Sequence, residues 1–283
     1  MNTAAVRVVT VAFNPGRELE SFASSLREAT AGEVTLVIVD NGSEHDVVDD
    51  VARRFDAQVV RPGANLGYGA AANLGLRDGE EPWVVVSNPD IVWEPHALDA
   101  LLDAATRHPR AGSLGPRILN TDGTVYPSAR AIPSLTQGAG HALFVRLWPG
   151  NPWTRRYHQR QEQVQLSEHA VGWLSGACLL LRRAALDEVG GFDETYFMFF
   201  EDVDLGERLG RTGWHNVFVP TARVVHDQGA SWRERPAAMI RAHHRSAEQY
   251  LHRRYPGWYR LPLRAAISVG LRGRAWLETR GSR

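Results

Sequence analysis

The sequence contains no lysine and a single cysteine. All 32 basic residues are therefore arginine, and 32 acidic residues balance them to a formal net charge of zero. One cysteine, Cys178, allows neither an internal disulfide nor a zinc site built from cysteines. Because Cys178 lies in the apolar run 177–181, we expect it to be a buried small hydrophobic residue.

Long hydrophobic runs are also missing. No uninterrupted apolar stretch reaches the roughly 18 residues of a membrane-spanning helix, and residues 1–13 lack the charged and then apolar layout of a signal peptide. We therefore expect a cytosolic protein that at most touches the inner face of the cell membrane. With 283 residues, 43% of them hydrophobic, the chain is able to bury the core of one large α/β domain, alone or with an appended segment.

The first half of the chain alternates between strand-like and helix-like segments. Strands are predicted at 6–13, 36–39, 57–60 and 83–86, and helices at 18–30, 47–55 and about 68–77. This alternation predicts a parallel, doubly wound sheet. Ligands bind such sheets at the carboxyl ends of the strands, which is where Asn14, Asp40 and Asp90 fall.

The second half is less regular. Strands are predicted at 113–117, 171–181, 215–219 and 223–226, and helices at about 203–212 and 237–254. Between them lies an irregular stretch, 129–168, and connections of that length are usually functional.

Four acidic or imidazole groups are candidates for chemistry, and each has a structural alternative. Asp40 ends an apolar strand, where a carboxylate binds a base or ribose or closes the turn 40–43. Asp90, in the Asn-Pro-Asp turn, is a ligand for Mg²⁺ or Mn²⁺ or a helix cap. Asp202 is a general base beside an aromatic run or an ordinary acidic residue of a first helical turn. His226 is a ligand for Mn²⁺ or phosphate or purely structural.

Taken in order, the motifs resemble those of glycosyltransferase family 2, the inverting enzymes with the GT-A fold, and in particular its bacterial rhamnosyltransferase branch. The matching fragments run from about residue 6 to residue 250 and are TVAFNP, VIVDNGS, NLGYGAAANLGL, VVVSNPDI, GPRILNTDGTVYPSAR, WLSGACLLLRR, GGFDETYFMFFEDVDLGERL and VPTARVVHDQGAS. The resemblance implies an α/β, Rossmann-like GT-A fold, with a mostly parallel central sheet flanked by helices.

The resemblance also implies a division of the chain. Residues 1–236 would form the catalytic domain, with a nucleotide-binding half at 1–117 and an acceptor-binding half at 118–236. Residues 237–283 would form a helical, arginine-rich extension.

Donor-side roles follow from the same resemblance. It implies that Asp40 contacts the nucleoside base and that Asn65 and Gly67 shape the donor pocket. The remaining donor-side residues are Asn14, Asn88 and Asp90. Asp90, together with His226, would hold a divalent cation, Mn²⁺ or Mg²⁺, on the diphosphate. Asn88 stands where many relatives carry the first aspartate of an Asp-x-Asp motif, so this turn offers one carboxylate.

On the acceptor side, the resemblance implies that Asp202 is the general base and that Glu201 lies beside it near the acceptor. Trp173 and Gly176 would form part of the acceptor wall. The branch implies dTDP-L-rhamnose as the nucleotide-sugar donor and a polyprenyl-diphosphate-linked N-acetylglucosamine as the acceptor, in cell-wall linker synthesis. Another nucleotide sugar or a polysaccharide acceptor is the alternative within the family.

The C-terminal segment is basic and partly apolar. From Arg253 onward there are eight arginines and one acid, Glu278, with aromatic and aliphatic residues between them. Such a segment fits peripheral contact with an anionic membrane, and it fits equally well a helix that packs on the catalytic domain or across a homodimer interface. Nucleic acid is not an expected partner, because no recognition motif accompanies the arginines.

Two other classes of protein are alternatives to a glycosyltransferase. A nucleotidyltransferase would need a glycine-rich, basic phosphate loop after the first strand, and the segment AFNPGRELE offers one glycine and one arginine. An inactive module that binds nucleotide sugars would not need Asp40, Asp90, Asp202 and His226 together.

Overall fold

The structure, a computed structural model, describes residues 5–44, 46–133, 166–227 and 236–280. Most of the irregular stretch predicted at 129–168, and the end of the HDQGAS fragment, lie outside the described residues.

The elements follow one another in strand and helix alternation through the first half of the chain. The strands are β1 Val6–Ala12, β2 Val34–Asp40, β3 Gln58–Val60, β4 Trp83–Ser87, β5 Ile91–Trp93, β6 Ala111–Asn120, β7 Val125–Tyr126, β8 Ala129–Arg130, β9 His169–Val171, β10 Trp173–Leu174, β11 Cys178–Arg182 and β12 His215–His226. The helices are α1 Glu18–Ala29, α2 Val47–Phe55, α3 Tyr68–Leu76, α4 Ala97–Arg107, α5 Arg183–Val189, α6 Glu201–Arg211, α7 Pro236–Arg254 and α8 Leu261–Arg280, with a short 3-10 turn Trp258–Arg260 before α8.

One mixed sheet organises the molecule, in the strand order β3-β2-β1-β4-β11-β6-β12-β5. Strands β3, β2, β1 and β4 are parallel to one another, and β6 and β12 are parallel. Strand β11 lies antiparallel between β4 and β6. The predicted α/β fold with a mostly parallel sheet and flanking helices is confirmed.

Helices cover both faces of the sheet, so its central strands are apolar on both sides. In β1, Val8 belongs to the core on the side of α1 and α4, whereas Val9 belongs to the core on the side of α3 and α6. Adjacent residues of a strand point to opposite faces. Both valines are fully buried, which explains why 6–13 shows a continuous apolar run rather than an alternating one.

The parallel register places three predicted site residues at one edge. Ala12 of β1 pairs with Asp40 of β2, and Thr10 pairs with Ser87 of β4. The turns that carry Asn14, Asp40 and Asp90 therefore all follow the carboxyl ends of neighbouring strands, as the alternation predicted.

The prediction of a continuous strand at 171–181 is wrong. The segment forms three short strands, because two glycines interrupt it at close backbone approaches. A side chain at Gly172 would lie 2.4 Å from the backbone nitrogen of Ile132. At Gly176 the chain turns between β10 and β11, and a Cβ there would lie 3.3 Å from Asp202 Cβ.

Helix α7 packs against the body that carries the sheet. Tyr250 of α7 is buried with Tyr196 and Val203 in a small apolar cluster, and its hydroxyl donates to Glu207 Oε2 of α6 at 2.6 Å. Helix α7 therefore packs on the body of the chain that carries the sheet, which is one of the two packing alternatives for the C-terminal segment. Within the described ranges, no helix is both long enough and apolar enough to cross a membrane.

We expect Cys178 to be inert in the folded protein. It is 1% exposed, and burial raises the pKa of its thiol to about 12, so very little reactive thiolate forms at pH 8. A disulfide reagent should label it slowly in buffer and completely in denaturant, as followed by absorbance. Rapid labelling of the native protein would contradict this burial.

Candidate active site

Asp40 lies at the end of β2 and serves the turn that follows it. Its Oδ1 accepts a hydrogen bond from the Ser43 backbone nitrogen at 2.9 Å, and its Oδ2 accepts one from Arg61 Nε at 3.1 Å. Asn14 binds the same turn, since its Oδ1 accepts from the Glu44 backbone nitrogen at 2.8 Å. One oxygen of Asp40 therefore closes the turn, as the structural alternative predicted. The second oxygen lies beside the half-exposed guanidinium of Arg61.

Asn65 and Gly67 lie next to this turn. Asn65 Oδ1 accepts from Asn41 Nδ2 and from the Gly67 backbone nitrogen, both at 3.0 Å. Asn41 Oδ1 in turn accepts from the Leu66 backbone nitrogen at 2.9 Å. The loop before α3 is thus held in register with the end of β2 by side-chain amides.

Gly67 is a position that only glycine fills without strain. Its φ is +86°, and a Cβ there would lie 2.2 Å from the Phe197 carbonyl oxygen. That carbonyl accepts the Tyr68 backbone N–H at 2.8 Å. The start of α3 is therefore bonded directly to the aromatic segment that precedes α6.

The Asn-Pro-Asp turn brings Asp90 against His226 at the end of β12. Asp90 Oδ1 lies 3.0 Å from His226 Nε2, and Asn88 Nδ2 lies 3.3 Å from the same ring nitrogen. Strand pairing explains the meeting, because His226 pairs with Ile91 of β5, directly after the turn. His226 is 9% exposed, so the imidazole of this pair is buried at the ends of the strands.

The chemistry of this pair fits a divalent cation. The buried Asp90 Oδ1 lies 3.0 Å from His226 Nε2, and Asn88 Nδ2 lies 3.3 Å from the same nitrogen. A carboxylate oxygen and a neutral imidazole nitrogen are both ligands that a divalent cation accepts, so two candidate ligands lie together here. Across the described part of the chain, no group of three or more His, Cys, Asp or Glu residues gathers to complete such a shell.

Asp202, in the first turn of α6, is held by backbone nitrogens. Its Oδ2 accepts from the Gly176 backbone nitrogen at 2.9 Å and its Oδ1 from Val203 at 2.8 Å. The Gly176 carbonyl also accepts the Tyr68 hydroxyl at 2.7 Å. The half-buried carboxylate is therefore oriented from two sides.

The carboxyl groups of buried Glu201 and half-buried Asp202 have unequal surroundings. Burial raises the pKa of Glu201 well above its ordinary value, and the charge of Asp202 raises it further. Burial also raises the pKa of Asp202, but backbone hydrogen bonds from Gly176 and Val203 oppose that rise. Glu201 Oε2 has no hydrogen-bond partner among the described residues. Glu201 therefore keeps its proton while Asp202 is the carboxylate, the form that a general base requires.

The residues just before this pair adopt a strained backbone. Phe199 and Phe200 have φ values of +66° and +68°, a region that costs a bulky residue about 1–3 kcal/mol. Helix α7 packs on the same segment, because Ser246 Oγ donates to the Met198 carbonyl oxygen at 2.7 Å and the ring of His243 contacts both phenylalanines. These contacts stabilise the conformation that presents Asp202.

The sequence indicated no role for Arg130, which lies in β8. Its guanidinium lies 5.7 Å from the ring centre of Tyr126 and 5.4 Å from that of Trp173. Burial raises the pKa of Asp202, and the charge of Arg130 opposes part of that rise. Trp173 donates its indole N–H to the Ala131 carbonyl at 3.1 Å. Tyr126 contacts His226 on its other side. The sequence signal for Arg130 was weak, since it is one arginine among 32.

The two ends of the crevice are joined through consecutive residues. The Gly176 nitrogen binds Asp202, and the Ala177 carbonyl accepts from the Asn88 backbone nitrogen at 2.9 Å. The Asp90–His226 pair and the backbone-held carboxylate of Asp202 thus lie on either side of one short turn. This arrangement, on a mixed sheet of this topology, is that of a glycosyltransferase with the GT-A fold.

Comparisons with known proteins agree with this class. The family model described as "Glycosyltransferase like family 2" matches residues 4–248, and the chain belongs to that family. The chain is also 48% identical to the N-acetylglucosaminyl-diphospho-decaprenol L-rhamnosyltransferase of Mycobacterium tuberculosis, over 99% of this chain and 94% of that protein. The family predicted from the motifs is confirmed.

Solved structures show the same fold at low identity. A crystal structure of GalNAc-T7 with UDP, GalNAc and Mn²⁺ is similar with a TM-score of 0.62 and 14% identity, over 87% of this chain and 48% of that one. A structure of TarS 1-349 from S. aureus is similar with a TM-score of 0.56 and 15% identity, over 86% of this chain and 64% of that one. The chain thus spans about half and two thirds of the lengths of these two proteins.

Gly67→Ala should damage the site more than a matched glycine substitution. The added Cβ meets a backbone oxygen at 2.2 Å, so we expect a loss of roughly 2–4 kcal/mol in the free energy of unfolding. Gly63→Ala is the control, because Gly63 also has a positive φ, +81°, but no atom within 4 Å of its Cβ position. Urea unfolding measures both variants, and equal losses would contradict the close approach to Phe197.

Glu201→Gln should change how stability depends on pH. Folded Glu201 holds its proton at pH values where the unfolded side chain, with a pKa of about 4.3, has lost it. The contribution of Glu201 to the free energy of unfolding therefore falls as pH rises above that value, by up to about 1.4 kcal/mol per pH unit. Because glutamine cannot titrate, the variant should gain stability relative to the wild type between pH 5 and pH 8 in urea unfolding.

Glu80→Gln is the control for that experiment, because Glu80 is exposed. Its free energy of unfolding should match that of the wild type at pH 5 and at pH 8. If the Glu201→Gln and wild-type curves stay parallel between pH 5 and pH 8, Glu201 is ionised in the folded protein.

Proposed function

We propose that this glycosyltransferase moves L-rhamnose from dTDP-L-rhamnose to a hydroxyl of polyprenyl-diphosphate-linked N-acetylglucosamine, with inversion at the anomeric carbon, in cell-wall linker synthesis. The observation that carries the proposal is the carboxylate of Asp202, oriented by two backbone nitrogens across one short turn from the Asp90–His226 pair. The 48% identity to the mycobacterial rhamnosyltransferase over nearly the full chain supports the choice of sugar and acceptor.

The donor would lie across the ends of β1, β2 and β4. Asp40 Oδ2 and the neighbouring Arg61 offer an acceptor and a donor for the nucleoside, while Asn14 and Asn65 hold the surrounding turns. Gly67 lets the backbone pass close to the Phe197 carbonyl, which fixes the start of α3 beside the proposed donor site. These residues position the donor and take no part in proton transfer.

Asp90 and His226 would hold the divalent cation, and Asn88 orients the imidazole. A cation bound there, Mn²⁺ or Mg²⁺, would neutralise charge on the departing diphosphate. Because this turn supplies one carboxylate, the diphosphate oxygens and water would have to complete the coordination shell.

Asp202 would accept the proton of the acceptor hydroxyl. The acceptor hydroxyl oxygen forms a bond to the anomeric carbon from the face opposite the diphosphate, the bond from that carbon to the diphosphate oxygen breaks, and the hydroxyl proton passes to Asp202. The products are the glycosylated acceptor and dTDP. Neutral Glu201 keeps a second negative charge away from Asp202, and no protein nucleophile is needed for a single inverting displacement.

The acceptor would approach along Trp173, Gly176 and Arg130. The Arg130 guanidinium lies over the Trp173 ring, next to the general base, where it suits an acceptor that carries a diphosphate. A polyprenyl anchor would place the reaction at the cytoplasmic face of the cell membrane, with the protein as a peripheral partner.

Calorimetry with dTDP, UDP and GDP, with and without Mn²⁺, tests the donor, and turnover of dTDP-L-rhamnose on a short-chain polyprenyl-diphosphate N-acetylglucosamine analogue tests the reaction. We expect dTDP to bind best, Mn²⁺ to strengthen binding, and Asp202→Asn to lower kcat by about 10²–10⁴-fold while donor binding stays unchanged. Asp204→Asn is the matched control, since Asp204 lies in the same helical turn but pairs with Arg208 at 2.6 Å.

Preferential binding of UDP or GDP would refute the rhamnosyl donor and leave the fold and mechanism in place. If no nucleotide binds, the transferase reaction itself is wrong. Equal activity of the Asp202→Asn and Asp204→Asn variants would remove Asp202 from the role of base.

A further inference from the structure

Helix α8 has an apolar face that points away from the protein. Its exposed residues recur at helical spacing and are Leu261, Pro262, Ala265, Ala266 and Val269. Val269 is 72% exposed, and Trp258 and Tyr259, in the turn that begins the helix, are 82% and 63% exposed. We call these seven residues the α8 face. Large apolar side chains gathered on one exposed surface usually mark a binding site.

The opposite side of α8 is occupied by α7. Ser268 Oγ lies 3.1 Å from His252 Nε2, and Arg272 pairs with Glu248 at 3.0 Å. Ile267 and Leu271 are half-buried on that side. Helix α8 is therefore packed against α7 on one side, and the α8 face is exposed on the other side.

The charged residues of the sequence segment that carries the α8 face are all basic. From residue 249 to residue 277 the sequence contains no acid. Arg260 lies over the ring of Tyr259 at 5.2 Å, and Arg264 donates to the Gly257 carbonyl, so both stand at the same end as the exposed aromatic residues. An apolar helix face with tryptophan, tyrosine and arginine at its edge has the composition of a segment that lies in the headgroup region of a bilayer.

The α8 face is connected to the reaction site through packed layers. Helix α8 packs on α7, and α7 contacts Met198, Phe199 and Phe200 directly before Glu201 and Asp202. A surface bound through the α8 face would therefore be held at a defined position relative to the general base.

We propose that the α8 face is the membrane-docking surface of this enzyme and that its partner is a bilayer containing anionic lipid. The inference rests on the proposed function in one respect, since a polyprenyl-linked acceptor is embedded in such a bilayer. A second copy of the chain fits the face less well, because a symmetric contact places the same arginines of both copies against each other.

Vesicle sedimentation with the full chain tests the proposal, using phosphatidylcholine with about 30% phosphatidylglycerol. The double variant Trp258→Ser, Val269→Ser should bind these vesicles about tenfold or more weakly, because it removes the two large apolar side chains of the α8 face with the highest exposed fractions. Leu166→Ser is the matched control, since Leu166 is also 72% exposed but lies before β9. Wild-type binding should weaken in high salt and on vesicles of phosphatidylcholine alone.

Turnover separates this inference from the proposed function. The double variant should match the wild type on a water-soluble acceptor analogue and lose activity on an acceptor embedded in vesicles. Vesicle binding by the double variant equal to that of the wild type would overturn the docking surface even if rhamnose transfer is intact. Transfer to neither acceptor, with normal vesicle binding by the wild type, would refute the proposed function and leave the docking surface supported.

Sedimentation velocity tests whether the α8 face binds a second copy of the chain instead. A stable wild-type dimer that Val269→Arg dissociates, together with no vesicle binding, would assign the α8 face to a second copy of the chain and overturn the membrane proposal.

Discussion

The backbone groups of Gly176 and Ala177 are the contact on which the arrangement of the site depends. The Gly176 nitrogen orients Asp202 and the Ala177 carbonyl holds Asn88, so consecutive residues set the distance between Asp202 and the turn that carries Asp90. Both residues belong to the turn that enters β11, the strand that runs antiparallel between β4 and β6. The insertion of that strand joins the parallel strands β3, β2, β1 and β4 to the parallel pair β6 and β12.

The carboxyl pair of α6 shows how the fold gives two similar groups different protonation states. Burial alone would favour a proton on each of Glu201 and Asp202. Backbone hydrogen bonds from Gly176 and Val203 reach Asp202, whereas Glu201 Oε2 has no partner among the described residues, so the protonated form is favoured more at Glu201. The strained segment before the pair persists because α7 packs on it. Helix α7 thus contributes to the position of Asp202 as well as to the packing of α8.

Local patterns were sufficient to predict the fold and the family. Apolar runs that end in polar turns predicted β1, β2 and β4 within one or two residues of their observed ends and placed Asn14, Asp40 and Asp90 at one edge. The ordered motifs predicted family 2, which the comparisons confirm. The roles of the individual site residues, the division at residue 236 and the homodimer stay predictions.

The sequence by itself determined the strands and helices from β1 to β4 and which carboxylates follow the strands, because hydrophobic periodicity and turn residues act over a few positions. It did not predict β5 or α4, which follow directly after that region. Only the tertiary structure decided that 171–181 is broken, since the approach of Gly172 to Ile132 joins distant parts of the chain. The same holds for the meeting of Asp90 with His226, and for Arg130 beside Asp202. Contacts between residues far apart in sequence depend on strand order and packing, which no local pattern encodes.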